Sequence, residues 1–162
     1  MVYLIMSNII LLRHGEKYHD TKSYFLDKEG RSRSHRLPSV IMNRFGRPNY
    51  IIAKCPIYPT FSFRPIETIY PLALHTSSPI ILFDDPRILG DYLIRYINTD
   101  YIIVVCWEHS EIPVISQTLG FDRIITWSST PDRYPIDDDD YNTMIELKFK
   151  PIKQYIVHTD IW

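Results

Sequence analysis

Short runs of β-formers return at intervals along this chain, each followed by a stretch with helical spacing. Tyr101-Ile102-Ile103-Val104-Val105 is the clearest, five consecutive strand formers that precede a polar turn. Residues 9–12, Tyr50-Ile51-Ile52-Ala53-Lys54 and residues 79–83 repeat the pattern. Runs that are apolar on both faces belong to buried strands, and buried strands alternating with helices read as βα units. The expected fold is α/β, a three-layer sandwich with a mostly parallel central sheet and helices on both faces.

The intervening helices are predicted at residues 64–74, with Pro65 in the first turn, and at residues 86–97. A further helix is predicted at residues 110–119, with Ser110 as cap and Gly120 as stop. A basic helix follows Leu26-Asp27-Lys28-Glu29-Gly30 and turns Leu37, Val40, Ile41 and Phe45 inward. Pro38 then has to lie near an end or at a kink. Residues 123–127 read as a short strand and residues 128–140 as a loop. Residues 144–149 alternate like an edge strand, and one more strand is expected around Tyr155-Ile156-Val157.

At 162 residues, with 45% hydrophobic and 23% charged residues, the chain is expected to form one domain over residues 1–162. A net charge of -1 argues against general nucleic-acid binding, so any anion pocket must be locally positive. Cys55 and Cys106 give no zinc spacing and read as reduced thiols. Asp137-Asp138-Asp139-Asp140 lacks the alternating ligands and turn glycine of a calcium loop and reads as a solvated segment. The first six residues lack the basic lead and cleavage site of a signal peptide, and Met6 is an alternative start. No run approaches the ~20 apolar residues of a membrane span. The expectation is an intracellular, soluble, cytoplasmic protein with no membrane or nucleic-acid partner, its oligomeric state open.

The chemistry concentrates where strands end. Arg13-His14-Gly15-Glu16 follows the first strand, and in open α/β folds that edge is where ligands bind. Histidine can act as a nucleophile, arginine can grip a phosphoryl group with parallel hydrogen bonds, and glycine lets the backbone approach closely. Arg64 opens a helix, where the positive dipole end already favours anions, with Thr68 one turn later. Glu108-His109-Ser110 places a second histidine at the end of another strand. Trp107 beside it reads as a packing residue. His19, His35, His75 and His158 show no ligand spacing.

Taken together, these pieces resemble the histidine phosphatase superfamily, also called phosphoglycerate mutase-like. The family's Arg-His-Gly after the first strand is matched by Arg13-His14-Gly15, and its Leu-x-x-x-Gly turn by Leu26 and Gly30. Its Arg-x-x-x-Thr is matched by Arg64 and Thr68, and its late strand-end histidine by His109. The resemblance implies a metal-independent, cofactor-free phosphatase acting on a phosphomonoester or phosphoprotein. His14 would form a phosphohistidine, while Arg13, Arg64 and His109 would bind the phosphoryl oxygens and stabilise charge in transfer.

The proton donor to the leaving group is less determined. Mutase-like members place it between the second arginine and the late histidine, where this chain offers Asp84, Asp85 and Asp91. Phytase-like members place it just after the late histidine, which favours Glu111. Glu111 also suits the first turn of a helix, so Glu108 is the preferred acid. Ser110 in place of a usual glycine, and Thr60-Phe61 in place of Ser-Pro, set the chain apart from mutase-like members. Two other functions stay open: a catalytically weak or inactive phosphate-binding scaffold of the same fold, and a phosphomutase. Little room for substrate-binding insertions disfavours the mutase.

Overall fold

Successive side chains of a strand point to opposite faces, and the first strand, β1 (Asn8–Arg13), buries both of its faces. Ile9 and Leu11 enter one core, Ile10 and Leu12 the other. A strand of this kind needs neighbours on both sides and layers above and below. The computed structural model supplies them, and it describes residues 7–19, 22–59, 61–121, 127–128, 136–137, 141–159 and 161–162.

Four strands run parallel: β1, β2 (Tyr50–Lys54), β3 (Ile80–Phe83) and β4 (Ile102–Trp107). The short strands β5 (Trp127–Ser128) and β6 (Ile136–Asp137) pair separately and in parallel. β7 (Met144–Lys148) and β8 (Gln154–His158) close the main sheet as antiparallel strands. The order of the six-stranded sheet is β3-β2-β4-β1-β7-β8.

Helices α1 (Lys28–Arg44) and α2 (Arg64–Thr76) cover one face, where Leu37, Ile41, Ile69 and Leu72 meet Ile10, Leu12, Ile51 and Val104. Helices α3 (Pro86–Leu93) and α4 (Ile112–Thr118) cover the other, where Leu89, Leu93, Ile112 and Ile115 meet Ile9, Leu11, Ile103 and Val105. The α/β sandwich expected from the sequence is the fold observed. Among the described residues, no helix is long and apolar enough to cross a membrane.

Several local expectations need correction. Pro38 lies in the interior of α1 rather than near an end. The proline gives up one helical hydrogen bond, but its ring is buried, so packing compensates. β7 is an interior strand, paired with β1 on one side and β8 on the other, because the tail supplies the true edge. Glu111, not Ser110, is the N-cap residue of α4, and it makes no side-chain cap bond. The helix expected over residues 86–97 is α3 followed by a 3-10 turn (Ile94–Tyr96). The expected loop over residues 128–140 contains β6, whereas Asp138 to Asp140 and residues 123–126 lie outside the described residues. Gly120 does stop α4, with φ of 81°.

The topology fixes where a ligand can reach the sheet. From β1 the chain passes over α1 to β2, beyond β4; from β4 it passes over α4, on the opposite face, to β7, beyond β1. The winding therefore reverses between β1 and β4, and the crevice beyond their carboxyl ends is the switch point of the sheet. His14 and Glu108 are the first residues past those two strands.

Candidate active site

The main chain carries His14 one step beyond β1, where its N–H donates to the Trp107 carbonyl at 3.2 Å. The residue is 4% exposed. His14 Nδ1 lies 2.7 Å from the Gly15 carbonyl oxygen, and a carbonyl can only accept. Nδ1 therefore carries the proton, and the Nε2 lone pair is left available. Burial lowers the His14 pKa from 6.5 to about 3; the Gly15 hydrogen bond opposes the shift, and the charges of Arg64, Arg13 and His109 reinforce it. At neutral pH this imidazole is uncharged, with the Arg64 and Arg13 guanidinium groups acting on it.

Gly15 and Gly30 explain why the Leu26-to-Gly30 segment belongs with this loop. A Cβ at Gly30 would lie 2.6 Å from the Glu16 carbonyl oxygen and 2.8 Å from its nitrogen, so only glycine lets α1 start against the loop. Asp27 caps α1 by accepting from Gly30 N–H at 2.8 Å, and its own N–H donates to the Glu16 carbonyl at 3.0 Å. The buried Leu26 donates its N–H to Glu67 Oε2 on α2 at 2.7 Å. Thr68 accepts from Gly15 N–H at 2.8 Å and donates to the Arg64 carbonyl at 2.7 Å. It is a tie between loop and helix as well as the helix back-bond its position suggests.

Arg64 occupies the first turn of α2 and donates from Nε to the buried Ser62 hydroxyl at 2.9 Å. Arg13, 6% exposed, donates from Nη2 to the Tyr141 hydroxyl at 3.2 Å, and its Cζ lies 4.1 Å from the Tyr141 ring centre. The Tyr141 and His14 ring centres are 6.3 Å apart. Nothing in the sequence spacing pointed to Tyr141. Glu16, within the first motif, is buried in a fork with Arg33 of α1, whose Nε reaches Glu16 Oε1 at 2.7 Å and Oε2 at 2.9 Å. Arg33 Nη1 also donates to Asn142 Oδ1 at 2.6 Å. Glu16, Arg33, Tyr141 and Asn142 line a cavity of about 350 Å³ together with His19 and Glu29.

The candidate acids fall into two groups. Lys54, at the end of β2 and 7% exposed, donates to Glu108 Oε2 at 3.0 Å and Glu111 Oε2 at 2.7 Å. Trp107 is fully buried in the core, as its packing reading requires, and donates from Nε1 to the same Glu111 oxygen at 2.7 Å. Asp85 caps α3 by accepting from the Arg87 and Ile88 N–H groups, and Asp84 and Asp91 are exposed. Lys54 was missed because its partners are 54 and 57 residues away in the chain. A lysine ending a buried strand is the signal that could have raised it.

Of the remaining histidines, His19, His35 and His75 are exposed, and His158 Nε2 lies 2.8 Å from Glu146 Oε2. Cys106 is a buried free thiol whose pKa burial raises, and Cys55 is free and half-buried. Among the described residues, no group of three or more His, Cys, Asp or Glu side chains is placed to hold a metal ion.

No protein-family model and no curated protein sequence matches the chain. Solved structures do. A structure assigned as the phosphohistidine phosphatase SixA of Agrobacterium tumefaciens superposes with a TM-score of 0.62 at 11% identity, covering 94% of this chain and 97% of that one. The mycobacterial glucosyl-3-phosphoglycerate phosphatase bound to inorganic phosphate gives 0.60 at 12% identity, over 94% of this chain and 95% of that one. A phosphoglycerate mutase of Plasmodium falciparum gives 0.51 at 14% identity, over 95% and 89%. Across nearly its whole length, then, this chain shares the fold of these two phosphatases and this mutase.

Proposed function

We propose that the protein is a metal-independent phosphatase that hydrolyses a phosphomonoester or a phosphoprotein through a phosphohistidine on His14. The observation that carries this reading is the state of His14: a neutral imidazole with Nδ1–H held by Gly15, acted on by the charges of Arg64, Arg13 and His109. A buried, neutral histidine beside two arginines and a second histidine suits an incoming phosphate dianion, which the guanidinium groups attract and the imidazole can attack.

In the first step the Nε2 lone pair forms a bond to phosphorus and the bond to the leaving oxygen breaks. Arg13, Arg64 and His109 hold the non-bridging oxygens, and Glu108 gives its proton to the leaving oxygen. In the second step water attacks phosphorus, its proton passes to Glu108, and the bond from phosphorus to Nε2 breaks. Phosphate leaves and the starting protonation states return. The test is hydrolysis of an aryl phosphate, with vanadate inhibition and loss of turnover in His14→Ala. Absence of turnover across a broad phosphoester panel by folded protein would overturn the reading.

One observation favours a second reading, a phosphate-binding scaffold with weak or no catalysis. Glu108, the preferred acid, and Glu111, its alternative, are both tied to Lys54. Phosphate binding without any phosphoenzyme would favour it. A mutase would instead exchange label between phosphorylated substrates.

A further inference from the structure

We infer that Lys54 is a positioning residue for proton transfer, holding Glu108 as the donor while Glu111 serves as its permanent counter-ion; the inference rests on the phosphatase reading above. The starting point is one buried cation facing two carboxylates. The Lys54 side chain is 9% exposed, and an ammonium at that depth needs a compensating charge. One carboxylate is enough for that. Two are present, at 3.0 Å and 2.7 Å.

The two carboxylates are not equivalent. Glu111 Oε2 takes two donors, Lys54 Nζ and the indole N–H of the buried Trp107, so β2 and β4 fix it from two directions. Glu108 gives Oε2 to Lys54 alone, and among the described residues Oε1 accepts no hydrogen bond. Oε1 is therefore the atom open to carry a proton. Glu108 also adjoins His109, whose charge acts on His14.

This arrangement lets Glu108 gain and lose a proton without stranding Lys54. When Glu108 is protonated, the Lys54–Glu111 pair remains balanced. When Glu108 has given its proton away, the ammonium faces two carboxylates and is still compensated. A lone glutamate paired to a buried lysine could not cycle in this way, since each protonation would leave an unpaired ammonium. Lys54 thus holds the donor in one geometry through both steps.

The test compares two substrates. Dinitrophenyl phosphate releases an oxygen that departs without a proton, whereas an alkyl phosphate releases one that needs a proton. Lys54→Met is expected to lower kcat/KM for the alkyl phosphate about 100-fold and to change that for dinitrophenyl phosphate by less than about threefold. Lys54→Arg, which keeps the charge, should recover part of the alkyl phosphate rate. The double variant Lys54→Met with Glu111→Gln removes one charge of each sign and guards against misfolding. It should show the same selective loss.

Equal losses on both substrates, or no loss on either, overturn the positioning role while leaving the phosphatase reading in place. Wild-type protein that hydrolyses neither substrate removes the phosphatase reading, and the role of Lys54 with it.

Discussion

At the end of β1, His14 is held by main-chain partners: the Trp107 and Gly15 carbonyls bind it, and Gly15 N–H is tied to Thr68. At the end of the adjacent β4, Glu108 is held by a side chain from a third strand, Lys54, which also binds Glu111, and Glu111 in turn accepts from Trp107. The first corner depends on short loops and glycines, the second on charges meeting across the sheet. Main-chain ties hold the His14 imidazole in one tautomer. A side-chain cluster permits a group to change its protonation state in place. The difference matches the two tasks proposed for them, attack on phosphorus and transfer of a proton.

The largest expected effect that sharpens this contrast is on stability. Burial, reinforced by Arg64, Arg13 and His109, lowers the His14 pKa from 6.5 to about 3, so the unfolded chain binds the proton more readily than the folded one. The stability this provides is complete above pH 6.5 and is lost as pH falls toward 3. His14→Gln should flatten the pH dependence of unfolding across that window by up to roughly 5 kcal/mol, measured by denaturant titration. An unchanged slope would mean that the His14 corner is less closed than its burial implies.

Next in size, Arg64→Ala should lower kcat/KM for an aryl phosphate about 10²- to 10³-fold by removing a donor to the transferring phosphoryl group. A loss confined to KM would instead make Arg64 a ground-state binding residue. At the other corner, Glu108→Gln should cost about 100-fold on an alkyl phosphate and little on dinitrophenyl phosphate. A uniform loss across leaving groups would erase the division of labour between the two corners. The smallest effect tests the loop itself. Gly30→Ala forces a Cβ to within 2.6 Å of the Glu16 carbonyl oxygen. It should lower stability by about 1–3 kcal/mol in thermal unfolding, with the proton-transfer corner unaffected.

The same contrast explains how much was legible in the sequence. Strand runs, the helix starting at Arg64 and the glycines at 15 and 30 act locally, so spacing put Arg13, His14 and His109 at strand ends and Arg64 at a helix start, and the family resemblance grouped them. Tyr141 and Lys54 could not be found that way. Tyr141 meets Arg13 across 128 residues, and Lys54 meets Glu108 across 54, contacts that exist only once the sheet order is set. β7 was misread as an edge strand because alternation shows which face is buried, not which neighbour pairs. Pro38 was expected at a helix end because sequence reports its missing donor but not the packing that compensates for it.

The most direct test of a nucleophilic His14 is rapid acid-free quenching of the enzyme during turnover, followed by peptide mapping under alkaline conditions. An acid-labile phosphoryl group on the peptide that contains His14, absent in His14→Asn, is the expected result. Sustained hydrolysis by His14→Asn, or a phosphoryl group mapped to any other residue, would contradict it.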